Sequence, residues 1–176
     1  MSRMANITVE EAYKRIFMFD IDGLLVEGRP EGQLDGPKGL FTKSDLKPTR
    51  SIVDAIEQIK PTALIGASGS GKIFSATALH RMAELNKKPI IFALSNPTSR
   101  AECTAEEAYI NTEGRCLFSS GSPFQPVSFK GKTFYPGQGN NAYIFPGIAL
   151  ATIVCAARHI DEEVFLIAAQ VNFLFY

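Results

Sequence analysis

Two stretches of this 176-residue chain concentrate groups that can recognise a polar ligand without carrying charge. The apolar run Ile90-Ile91-Phe92-Ala93-Leu94 breaks abruptly at Ser95-Asn96-Pro97-Thr98. Phe134 to Gly147 gathers three glycines, two prolines and the pair Asn140-Asn141 into one loop. A carboxamide both donates and accepts hydrogen bonds and stays neutral. Held on turns at the end of a sheet, Asn96, Asn140 and Asn141 suit a ligand bearing carboxylate or amide groups. The expectation is that all three converge at one mouth of the sheet.

Two further loops carry chemistry-bearing residues. Gly66-Ala67-Ser68-Gly69-Ser70-Gly71-Lys72 fits a nucleotide-triphosphate loop until Ile73, which stands where a hydroxyl should meet magnesium. As a dinucleotide fingerprint it lacks the third glycine. Gly66, Ser68, Gly69 and Gly71 remain candidates for close approach of a cofactor to the backbone, and a helix opening near Lys72 would favour an anion. The other loop, Phe17-Met18-Phe19-Asp20-Ile21-Asp22-Gly23, resembles the opening motif of haloacid-dehalogenase-type phosphatases. That resemblance implies a nucleophilic Asp20, a proton-donating Asp22 and a magnesium ion between them. The rest of such a site is missing, since Asp161-Glu162-Glu163 reads as a first helical turn rather than a strand end.

These loops need a scaffold. Apolar runs alternate with helical patterns, the signature of an α/β fold with a mostly parallel sheet and helices on its faces. Thr8-Val9-Glu10-Glu11 reads as a capping box and Ile16–Phe19 as a first strand. A long polar loop from Gly28 to Pro48 precedes a helix from Ser51 to Lys60. Then come strand Thr62–Ile65, helix Lys72–Asn86, strand Ile90–Leu94, a helix capped by Thr104 and strand Cys116–Ser119. Val127–Phe129 and Thr133–Tyr135 form a hairpin, Asn141–Ala157 a buried helix with Arg158 and His159 at its end, and a last helix opens at Asp161.

Composition excludes several classes. Lys and Arg number 18, Asp and Glu 18, with no basic block, which argues against a nucleic-acid partner. The uncharged stretch from Asn141 is short and broken by Pro146-Gly147, so no membrane span is expected. Cys103, Cys116 and Cys155 have no metal-ligand spacing and read as buried thiols of a reduced, intracellular compartment. Lys72 reads as a solvated first-turn residue, Tyr135 and Tyr143 as half-buried packing residues, His80 and His159 as solvated.

The two asparagine segments together resemble the cofactor domain of malic enzymes. Ala101-Glu102-Cys103-Thr104, Glu113-Gly114-Arg115, Ser119-Ser120-Gly121-Ser122-Pro123-Phe124 and Arg158-His159-Ile160 extend the likeness in order, from about Arg15 to Ala169. The resemblance implies a Rossmann-like three-layer sandwich, truncated at its N-terminal side. On this view residues 1–176 are one partial NAD(P)-binding domain, with an atypical tail at 170–176. It implies NAD or NADP as cofactor, malate as substrate, and a divalent metal, Mg or Mn. Asn96, Asn140 and Asn141 would hold substrate; Gly66, Ser68, Gly69, Gly71, Asn96 and Asn141 would meet cofactor. The family's proton-transfer Lys and Tyr and its metal ligands have no recognisable equivalent here, so no catalytic residue is expected and the chain alone should bind weakly. A cytoplasmic or mitochondrial-matrix location and self-association through an apolar edge near Ile16–Phe19 complete the expectation.

Overall fold

The computed structural model describes residues 7–175; Met1–Asn6 and Tyr176, the last residue of the expected tail, lie outside that range. The chain divides into two compact units, Met1–Gln138 and Gly139–Tyr176, each described by itself.

In the first unit, helix α1 (Val9–Lys14) opens on the expected capping box: Thr8 Oγ1 accepts from Glu11 N, and Glu11 accepts from Thr8 N. The first strand is a correction. Strand β1 is only Phe19–Asp20, paired antiparallel with β2 (Gly23–Leu24) as a separate hairpin outside the main sheet. The reversal has a local cause. Asp22 N donates to Asp20 Oδ1, and Gly23 sits at φ +110°, where a Cβ would lie 2.3 Å from the Thr49 carbonyl oxygen.

The main sheet contains β3 (Ala63–Gly66), β4 (Ile90–Ala93), β5 (Leu117–Ser120) and β8 (Gly137–Gln138), in that order and all parallel. β8 lies inside the segment that sequence treats as a loop, because two residues carry no period to read. The sheet's edge strands are therefore β3 and β8, not the Ile16–Phe19 run. Helices α2 (Ile52–Ile59), α3 (Ala76–Leu85) and α4 (Ala105–Asn111) are capped by Ser51, Ser75 and Thr104. Ile56, Leu79, Met82, Ala108 and Tyr109 from these helices form one core with Ile91, Ala93 and Phe118 from the strands. The alternate positions point to the second face, where Ile65 is 60% exposed. β6 (Val127–Phe129) and β7 (Lys132–Phe134) make the expected hairpin, its two-residue turn set by positive φ at Lys130 and Gly131.

The second unit holds a 3-10 turn at Asn141–Tyr143, then α5 (Phe145–Val154) and α6 (Glu162–Phe175). α6 opens where expected and absorbs Gln170–Phe175 of the tail. α5 departs from expectation: Ile148 is buried, but Leu150, Ile153 and Val154 are exposed. A helix apolar all round needs cover on every side, which sequence reports only as burial. It also ends at Val154, so Arg158 and His159 lie beyond its last turn.

Ile91 and Ile65 provide a direct test of the sheet's two faces. Ile91→Ala should lower unfolding free energy by about 2–5 kcal/mol in a urea titration. Ile65→Ala should change it by about 0.5 kcal/mol or less.

Candidate functional site

The glycine loop and the Ser95-Asn96 turn both leave the C-terminal end of a parallel strand, the edge where α/β sheets bind ligands. β3 runs into Gly66–Gly71, β4 into Ser95-Asn96, and β5 into Gly121-Ser122. Between the first two is Glu102, a fully buried carboxylate whose place in the sequence carries no sign of this role. Its Oε1 accepts from Ser68 N (3.0 Å), Ser68 Oγ (2.8 Å) and Ser95 Oγ; its Oε2 accepts from Ser95 N (3.3 Å). Burial pushes the Glu102 carboxyl upward, but the donors from Ser95 and Ser68 outweigh it and hold the group below the ordinary glutamate range.

The glycines now have separate reasons. A Cβ on Gly66 would lie 2.4 Å from Glu102 Cδ, and one on Gly71 2.6 Å from the Ser99 carbonyl oxygen. Gly69 has φ +67° with open space around it. The loop does not feed a helix at Lys72, as sequence suggested. Lys72 itself has φ +61°, and α3 opens only after Ser75, whose hydroxyl accepts from Ala78 N. The loop's donors are also committed: Gly69 N to Ser95 Oγ, Ser70 N to Ser68 Oγ, Lys72 N to the Ala101 carbonyl. A triphosphate cradle needs such amides free and a helix starting at the lysine, so that reading falls.

Asn96 is exposed at the end of β4, following a buried Ser95. Ser122 Oγ donates to Asn96 Oδ1, which fixes the amide's orientation. Gly121 passes so close that a Cβ would meet the Leu94 carbonyl oxygen at 2.2 Å and Asn96 Nδ2 at 2.8 Å. The Asn96–Pro97 peptide is cis. In the second unit the paired asparagines differ. Asn140 caps the 3-10 turn, its Oδ1 accepting from Ala142 N, whereas exposed Asn141 makes no side-chain hydrogen bond among the described residues.

Asp20 is engaged differently from a phosphatase nucleophile. It accepts from Arg29 Nη1 (2.9 Å) and Nη2 (3.2 Å) and from Lys38 Nζ (2.7 Å), on a hairpin rather than at a parallel strand end. The Arg29 guanidinium, only 2% exposed, holds the Asp20 carboxyl far below the usual range. Asp22 closes the turn above it. Tyr135 is 77% exposed and Tyr143 is also exposed, against the packing role expected for both. Cys103 and Cys116 are buried, their thiols pushed up by desolvation, but Cys155 is exposed. His80 is exposed beside Glu84, and His159 is exposed. Among the described residues no group of His, Cys, Asp and Glu could hold a metal ion, and no helix is long and apolar enough to cross a membrane.

Residues 1–172 match the family model described as malic enzyme, NAD binding domain. The chain belongs to the malic enzyme family. It is 50% identical over 167 residues to an NADP-dependent malic enzyme of Anas platyrhynchos, covering 94% of this chain and 29% of that one. Identity is 51% over 165 residues to a mitochondrial NAD-dependent malic enzyme of Ascaris suum, covering 94% and 25%. An NADP-dependent malic enzyme of Vitis vinifera is 46% identical over 170 residues, covering 97% and 28%. The chain thus spans less than a third of the length of these malic enzymes. Its parallel sheet flanked by helices is the Rossmann-like architecture of a nicotinamide-cofactor domain.

Asp20→Asn should strand a buried guanidinium and cost about 3 kcal/mol of stability at neutral pH. The folded carboxyl is depressed, so its contribution is complete above the unfolded value of about 3.9 and is lost as pH falls through the lower folded value. Urea midpoints of wild type and variant should therefore stay apart down to about pH 4 and converge only in stronger acid.

Proposed function

We propose that this chain carries part of the cofactor- and substrate-binding surface of a malic enzyme, within one partial NAD(P)-binding domain that includes the 170–176 tail. The observation that carries the reading is the exposed Asn96 carboxamide, oriented by Ser122 at the C-terminal edge of a parallel sheet. Asn96 donates to a malate carboxylate or to the nicotinamide amide. In the second unit, taken by itself, Asn141 has an uncommitted side chain and is a separate candidate for ligand contact, and Asn140 caps the turn that carries it. Gly66, Ser68, Gly69 and Gly71 offer backbone surface to an uncharged part of the dinucleotide. The amides of Ser68, Gly69 and Ser70 already have partners, so this reading does not seat the pyrophosphate on them.

The cofactor supplies hydride acceptance; these residues bind and orient. NAD and NADP are both compatible with this surface, and the relatives' names include both. A divalent metal does not fit the described residues: Asp20 is locked to Arg29 and Lys38, no group of His, Cys, Asp and Glu among them could hold an ion, and His80 and His159 are each exposed. On this reading the chain alone lacks the groups for oxidative decarboxylation of malate. An intracellular location, cytoplasmic or in the mitochondrial matrix, accords with the free thiols.

A second reading, assembly or regulation without catalysis, is favoured by the exposed Leu150, Ile153 and Val154 of α5. Those side chains would drive self-association or association with a longer malic enzyme. Size-exclusion chromatography should show concentration-dependent oligomers, and Ile153→Asp should shift them to monomer. A strictly monomeric wild type ends this reading.

Titration with NADH and with L-malate tests the first reading. Asn96→Ala and Asn141→Ala should each weaken binding by about 1–3 kcal/mol, the worth of a hydrogen bond to a charged group. Asn140→Ala should instead lower stability by about 1 kcal/mol, as loss of a cap does. Wild type with malate, manganese and either cofactor should give little or no pyruvate. Robust turnover overturns the assignment of a binding-only role.

A further inference from the structure

A fully buried carboxylate without a cation is expensive, and in Glu102 the cost is met entirely by neutral donors. Among the described residues no Lys, Arg or His pairs with it. An apolar side chain would serve packing as well or better, so the carboxylate's distinctive contribution is what it connects. Its donors come from two segments that approach it from different strands. Ser68 lies 34 residues away in sequence, on the loop after β3; Ser95 lies seven residues away, after β4. The two are also linked directly, because Ser95 Oγ accepts from Gly69 N while donating its one proton to Glu102.

The backbone beside Glu102 completes the clasp. The Glu102 carbonyl accepts from Phe74 N and the Ala101 carbonyl from Lys72 N, so residues 101–102 hold the glycine loop at its exit as well as its start. Gly66 lies so close that only glycine leaves room for the Glu102 side chain. On the other side, Ser95 is joined covalently to Asn96.

We propose that Glu102 is a positioning residue that locks the Gly66–Ser70 loop and the Ser95-Asn96 turn into one ligand-facing unit. It touches no ligand. It acts by fixing the spacing between the backbone surface of the loop and the Asn96 carboxamide, so disorder in one spreads to the other. The functional part of this inference rests on the cofactor reading above; the structural part does not.

Amide hydrogen exchange on the full chain, read by NMR, separates the two, with NADH titration as the second arm. In Glu102→Gln, exchange at Ser68, Gly69 and Ser95 should accelerate at least tenfold, while Ile91 and Phe118 in the sheet stay within about twofold. NADH affinity should fall at least tenfold. Ser95→Ala, which keeps the carboxylate but removes the shared hydroxyl, should produce the same pattern more weakly, and it decides the matter if Glu102→Gln does not fold. Acceleration spread evenly through the core, or confined to one of the two segments, overturns the coupling. Loosened segments with undiminished NADH affinity overturn the positioning role and leave the cofactor reading standing. A wild type that shows no NADH response removes the cofactor reading, and the exchange pattern alone then decides whether Glu102 couples the loops.

Discussion

The hydrogen bonds to Glu102 are the constraint around which the sheet's ligand-facing edge is arranged. A parallel sheet brings several strand ends to one side, but it does not fix the loops that leave them. Here one carboxylate gathers donors from two of those loops, and the segment that carries it also pairs with the backbone at the exit of the glycine loop. Because an unsatisfied buried charge is so costly, the arrangement is close to all-or-none: either every donor is in place or the segment must rearrange. Several features that look independent in sequence follow from it. Gly66 is glycine to admit the side chain, Ser68 and Ser95 are hydroxyls to satisfy it, and the amides of Ser68, Gly69 and Ser70 turn inward rather than toward a ligand.

The same logic explains Asp20, at the opposite extreme of electrostatics. Its partners are a buried guanidinium and an ammonium, and its carboxylate is saturated by them. A nucleophile needs a free oxygen aimed at substrate; Asp20 has none to spare. Two acidic residues spaced as in a phosphatase motif therefore close a tight hairpin, and the chemistry that the spacing suggests is absent because the neighbours consume it. Glu102 and Asp20 show why residue type alone underdetermines role: the first is a hub without a cation, the second a structural anion between two.

Much of the framework was legible. The capping boxes at Thr8 and Thr104, the parallel strands around Leu64, Ile91 and Phe118, the hairpin at Lys130-Gly131 and the opening of the last helix all rest on local rules, and the structure keeps them within a residue or so. What went astray needed long-range information. Lys72 could not be read as a left-handed turn residue, because the hydrogen bond that holds it comes from Ala101. Ile16–Phe19 looked like a sheet strand because apolar runs look alike whatever they pair with. β8 was too short to announce itself, and α5, apolar on all sides, advertised burial that most of its side chains do not have.

Sequence by itself determined the family and the α/β class, through long ordered words and alternating periods that few other folds could satisfy. It also chose the right turns to inspect, since Gly, Asn and Pro mark places where backbone conformation is unusual. It could not say which side chains were already spent. That Ser122 orients Asn96, that Asn140 caps while Asn141 stays uncommitted, and that a glutamate 34 residues from Ser68 governs the glycine loop were decided only by tertiary structure. The physical reason is that hydrogen-bond satisfaction is a property of neighbours in space, and a linear chain lists neighbours only along itself.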